Sequence, residues 1–244
     1  MKKILILLSI IALGSCVYAD ELVIIGDLNK ENFWNKKGIE VEKVLNVSNK
    51  IMMTNQVPKR VPVFVEKNRI SVTFSGTSIE TVNAYSSLYN KTVTVLAGTF
   101  NYIDNDDELA YLLAHEIAHS VEAYGGLIKY VSITTNSKKY ENKADIKAID
   151  YMVNAGYNPI AAITLGNKIF AEPMWDWGFT STHPKGSKRL LNMYKYISIK
   201  YPKYLNSSMT QLPAYKNFEY AMGDDIKEFK QKQKKKELKQ QKDL

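Results

Sequence analysis

Residues 104–123 read DNDDELAYLLAHEIAHSVEA, and the reading of this stretch governs the rest of the chain. Asp104, Asn105, Asp106, Asp107 and Glu108 stand before the apolar run Leu109 to Ala114. That is the pattern of a helix start, because Asx and carboxylate side chains satisfy the free N–H groups of a first turn. The helix then carries His115, Glu116 and His119. Residues four apart lie on one face, one turn above each other, so both imidazoles can reach a single cation. Glu116 is rotated from His115 by about 100 degrees about the axis, which places it beside a water at that cation, as a general base would be. Leu112, Leu113, Ile117 and Ala118 supply the apolar neighbours that hold such a helix rigidly in a core.

A catalytic zinc takes three protein ligands and keeps one position for water, so this motif requires a third ligand downstream. Thiolate ligation is excluded because the one cysteine, Cys16, lies near the N-terminus. A third histidine within the same motif is excluded too, since the glycine and histidine positions of that arrangement hold Glu122 and Gly125. A carboxylate from another helix remains. Glu141, in YENKADIKAIDYM, is the best candidate, because Asp145 lies one turn further along the same face. From there Asp145 can accept a hydrogen bond from a ligand imidazole and orient its ring. The expected cofactor is one Zn2+ per chain, held by His115, His119 and Glu141.

Outward from the motif, helices are expected over Lys138 to Ala155, ending at Gly156, over Pro159 to Ala171 and over Pro184 to Tyr201. An aromatic loop from Glu172 to Thr182, with Trp175, Trp177 and Phe179, separates the last two; it lines a pocket, forms a lid or simply packs. An amphipathic helix from Gly38 to Asn55 uses Ile39, Val44, Leu45, Val47, Ile51 and Met52. Branched residues over Pro62 to Val65, Ile70 to Phe74 and Thr92 to Ala97 read as short strands of a small, mainly antiparallel sheet. A few strands followed by several helices make the fold class α+β.

The termini read differently. Lys2 and Lys3 precede an apolar run from Ile4 to Leu13, the form of a signal peptide over residues 1–19 and too short to span a bilayer comfortably. Cleavage before Asp20 competes with lipidation of Cys16. Export to a bacterial periplasm or cell envelope follows. The formal charge of +8 is concentrated at the ends, with eight Lys against three acidic residues from Lys227 to Leu244. The body is close to neutral, which argues against nucleic acid as a partner. The expected divisions are the signal at 1–19, an N-terminal helical segment at 20–60, the main domain at 61–219 and a basic tail at 220–244. Cys16 lipidation and the basic tail are the two routes by which the chain would attach to a membrane.

HEIAH at 115–119, ENKAD at 141–145, GYNP at 156–159 and STHPKGSKR at 181–189 together resemble the HtpX-like and CAAX-prenyl-protease-like zinc peptidases, family forty-eight of the metallopeptidases. The likeness runs from about Val61 to Met193 and includes Asn83, Ala84 and Tyr85. It implies a zincin-like, minigluzincin domain and a zinc endopeptidase acting on polypeptides of the cell envelope or on misfolded proteins. Its metal ligands would be His115, His119 and Glu141, with Glu116 as base and Asp145 behind the ligands. His183 and Arg189 would lie near the site, and substrate would lie extended at the sheet edge by Asn83 and Ala84. His183 has two chemically open roles: it donates to a developing oxyanion, or it occupies the fourth metal position and holds the site latent. Arg189 either binds substrate carbonyls or pairs with an acidic residue to fix its segment, the second being favoured. The alternative to a peptidase is a zinc-bound chaperone that holds clients in the same groove with latent or no cleavage.

Overall fold

The computed structural model describes residues 22–24, 41–66, 70–72, 78–80, 84–87, 89–170 and 186–242. The expected signal segment with Cys16, Asn83, the stretch read as an aromatic loop with Trp175, Trp177 and Phe179, and His183 lie outside the described residues. The strands are β1 (Leu22–Ile24), β2 (Val63–Glu66), β3 (Ile70–Val72), β4 (Ser78–Glu80), β5 (Ala84–Ser87) and β6 (Thr92–Leu96). The helices are α1 (Val41–Thr54), α2 (Asp106–Glu122), α3 (Gly126–Thr135), α4 (Ser137–Asn154), α5 (Ala161–Ile169), α6 (Gly186–Lys200), α7 (Pro213–Ala221) and α8 (Gly223–Lys242). The result is a mixed, helix-rich fold around a small sheet. Among the described residues no helix is long and apolar enough to cross a membrane.

The main sheet has the order β1-β2-β6-β5. β1 pairs with β2 and β5 with β6 antiparallel, as expected, but β2 and β6 run parallel. A parallel pair needs a crossover connection, and here it contains the β3-β4 hairpin and β5. The predicted strand at Ile70 therefore belongs to a separate two-stranded ribbon. β5 turns into β6 through Tyr89, Asn90 and Lys91, where Lys91 has φ 56 and its N–H closes on the Ser87 carbonyl at 2.7 Å. Among the described residues β5 is an edge strand, packed on the flank of α2.

α1 buries the stripe Val44, Val47, Ser48 and Ile51, one face at helical spacing. α4 ends as its glycine predicts: Gly156 has φ 79, its N–H bonds the Val153 carbonyl, and the Tyr157 N–H reaches back to Met152 at 2.9 Å. α3 and α7 are helices that the sequence reading missed. α2 packs most extensively against α4, where Ala110, Ala114 and Ala118 on one helix and Ala144 and Ala148 on the other are all buried. Short side chains let the two backbones approach closely, and this sets how far a carboxylate on α4 must reach to meet a histidine on α2.

The start of α2 is fixed by its acidic residues. Asn105 accepts the Glu108 N–H at 3.0 Å, while Glu108 accepts the Asp104 N–H at 2.8 Å. Asp107 accepts the Asn158 N–H. The Glu108 carboxylate is 1% exposed and also binds the Thr164 hydroxyl and Lys168, tying α2 to α5. Replacing it by alanine leaves the Thr164 hydroxyl only the Ala161 carbonyl at 3.3 Å and Lys168 only Asp104 at 3.0 Å, so Glu108→Ala should lower stability by about 1–3 kcal/mol. Urea unfolding checks this, and a loss below about 1 kcal/mol would show that the cluster contributes no more than a surface pair.

Candidate metal centre

His115 and His119 project from α2, and Glu141 meets them from α4. His115 Nε2 lies 3.2 Å from His119 Nε2 and 3.5 Å from Glu141 Oε2, and His119 Nε2 lies 3.4 Å from Glu141 Oε1. Two ligands held tetrahedrally at about 2.0–2.1 Å from zinc would stand about 3.3–3.4 Å apart. The imidazole pair has about that spacing, Glu141 turns one oxygen to each histidine, and one ligand atom from each of the three residues lies within 4.8 Å of the others, so these side chains can hold one metal ion. The donor set, two imidazoles and a carboxylate, is that of a catalytic rather than a closed structural site.

Behind the ligands stands a buried polar network. Asp145 is 1% exposed and faces three donors through Oδ1: the Tyr111 hydroxyl at 2.8 Å, Arg189 Nη2 at 2.7 Å and His115 Nδ1 at 3.0 Å. The last contact is short in distance, although the N–H is not aimed squarely at the oxygen. Arg189 Nε binds the second Asp145 oxygen at 2.9 Å, and Nη1 reaches Glu141 Oε2 at 3.1 Å. One guanidinium thus spans the ligand carboxylate and the carboxylate behind the histidine. Its other face lies 3.9 Å from the centre of the Phe170 ring. This is the pairing with acidic residues that the sequence reading favoured for Arg189.

Tyr111 was not anticipated as part of the site. It sits one turn before His115, inside an apolar run in which an aromatic reads as core, and nothing local signals a partner on another helix. Burial, together with the Asp145 charge, pushes its hydroxyl well above the ordinary range, so it stays protonated and donates. Glu116 is 7% exposed and takes part in none of the contacts that hold the triangle and its backing. Ala84 lies on β5, half-buried and paired with Val95 of β6.

The charges fix the pH behaviour. Burial alone would raise the Asp145 carboxyl, but hydrogen bonds from His115 and Arg189 outweigh it and hold the group at about 2. Burial likewise disfavours the His115 imidazolium, yet Asp145 and Glu141 prevail and raise it to about 10 in the metal-free protein. Asp145 therefore contributes stability above its ordinary 3.8, lost as pH falls towards 2. His115 contributes stability below its ordinary 6.5, lost as pH rises through 10. Metal requires the neutral imidazole, so binding releases a proton and the apparent affinity rises about tenfold per pH unit below the His115 pKa. Melting temperatures with chelator should fall between pH 6.5 and 10, whereas with excess zinc the stabilisation over the metal-free form should grow across that range. A metal-free protein equally stable at both ends would contradict the His115–Asp145 pairing.

A helix-borne HExxH, a carboxylate donated by a second helix and a small mixed sheet flanking the pair define a metallopeptidase-type site. Two protein families match the chain: Peptidase U49 over residues 107–208 and Peptidase family M48 over residues 63–123. Both matches include His115, Glu116 and His119, and the first extends over Glu141, Asp145 and Arg189. Together they support an M48-family metallopeptidase. No curated protein matches the chain at a significant level.

Proposed function

We propose that the chain is a zinc-dependent endopeptidase of the minigluzincin type, in the HtpX-like and CAAX-prenyl-protease-like branch of its family. The observation that carries this reading is the convergence of His115, His119 and Glu141, with one ligand atom from each within 4.8 Å of the others, backed by Asp145 and Arg189. The ENKAD, GYNP and STHPKGSKR segments support the branch. Zinc, when bound, supplies Lewis acidity that brings the ionisation of water near neutrality and polarises a peptide carbonyl. Asp145 fixes the His115 ring with Nε2 towards the ion, and Arg189 holds one Glu141 oxygen in place. Glu116 takes the proton of the attacking water and returns it to the leaving amine. Extended substrate pairs its backbone with strand β5 beside Ala84, and Asn83, next to it in sequence, takes part in binding it. His183 in its THP segment then donates to the oxyanion.

The export signal at 1–19 supports a cell-envelope location, with envelope or misfolded polypeptides as substrates. Stripping metal with a chelator should reduce casein cleavage to background, and stoichiometric zinc should restore it. Cleavage that survives removal of metal, verified by elemental analysis, would overturn the zinc reading.

A further inference from the structure

α3, one of the missed helices, presents an apolar stripe to solvent. Leu127 is 78% exposed, Ile128 88% and Val131 51%, and Tyr124 in the preceding turn is 38% exposed. The spacing places Leu127, Ile128 and Val131 on one side of the helix. The opposite side is anchored: Ile133 is buried, Ser132 bonds Tyr140, and Lys129 pairs with Glu122, which Lys143 also binds. α3 is therefore anchored along one side and carries Leu127 and Ile128 exposed on the other.

Around Tyr124 the neighbours are cationic. Lys59 and Lys91 lie 5.5 and 5.8 Å from its ring centre, and its hydroxyl donates to the Arg60 carbonyl. Tyr89, 84% exposed, borders the same cluster through its carbonyl on Lys91. Protruding aliphatic side chains with a rim of tyrosine and basic residues match the layering of a bilayer surface, acyl chains beneath phosphate headgroups. Polypeptide recognition calls for a groove with walls, whereas Leu127 and Ile128 stand clear of their surroundings.

We propose that α3 is an interfacial anchor that docks the domain on an anionic phospholipid surface, with Leu127 and Ile128 inserted and Lys59, Arg60 and Lys91 against the phosphates. The anchor follows the last turn of the metal helix, so docking would hold the site close to the membrane and favour polypeptides presented there. It is separate from the basic tail and from Cys16.

The test places an environment-sensitive fluorophore on the full chain at Ile128→Cys, in a Cys16→Ser background that leaves no other cysteine. Vesicles of phosphatidylglycerol and phosphatidylcholine should shift its emission to the blue, while a label at the exposed Ile199, outside the stripe, stays unmoved. Lys59→Glu with Lys91→Glu should weaken the response about tenfold or more. Leu127→Ser, read from a label at Val131→Cys, should weaken it about tenfold. The result should be the same with and without zinc, which separates this proposal from the peptidase reading. A label at 128 that does not respond to anionic vesicles, or responds equally to phosphatidylcholine alone, overturns the proposal. A response to unfolded casein in place of vesicles also overturns it, in favour of a polypeptide-binding surface.

Discussion

Glu116→Gln should keep its zinc and lose its proteolysis. The three donor atoms of the triangle belong to other residues, so the ion has no reason to leave. The amide cannot accept the proton of the attacking water, and general-base contributions of this kind are worth about 10²–10⁴ in rate. Stability should not fall. Glu116 is nearly buried and takes part in none of the contacts that pair its neighbours, so an amide of the same shape removes none of them. Casein cleavage, bound zinc and urea midpoint measured together separate the cases. Retained cleavage removes Glu116 from the chemistry, and lost zinc makes it a ligand.

Arg189→Met is expected to have the largest effect on the fold. Arg189 is 7% exposed and is paired with two carboxylates, Asp145 and Glu141, both at or behind the metal triangle. Removing it leaves two negative charges close together in a poorly hydrated place, a loss of about 3–5 kcal/mol by analogy with other broken buried pairs. Zinc affinity should fall about 10–100-fold, because Glu141 and His115 lose the groups that orient them. Arg189→Lys should recover little, since an ammonium cannot span Nε, Nη1 and Nη2 positions at once. Adding Asp145→Asn to Arg189→Met should recover stability by removing one stranded charge, but not zinc affinity. Equal zinc binding by Arg189→Lys and the wild type would show that the fork geometry is unnecessary.

How much of this was legible in the sequence depended on the range over which each signal acts. The α2 helix announced itself through Asn105, Asp106 and Glu108 at its start, and the end of α4 through Gly156, because capping is decided by residues a turn apart. The direction of β2 against β6 was not legible, since a four-residue strand carries no mark of whether its partner runs with it or against it. α3 was missed for a related reason: its apolar residues face outward, and its pattern records a surface the domain itself does not bury.

The sequence by itself determined the reactive groups and their first relation, two imidazoles one turn apart with a carboxylate beside the first, because helical periodicity converts spacing into geometry without outside help. It also nominated Glu141 and Asp145, though only as residues able to share a face. Tertiary structure alone decided that this face meets α2 across a seam of alanines and that Arg189, from a third helix, locks both carboxylates. It also brought Tyr111, four residues from a ligand, onto Asp145. The contacts of Tyr111 and Arg189 join residues 34 to 48 positions apart, and they exist only because close packing of whole helices sets the distance between side chains that no local rule connects.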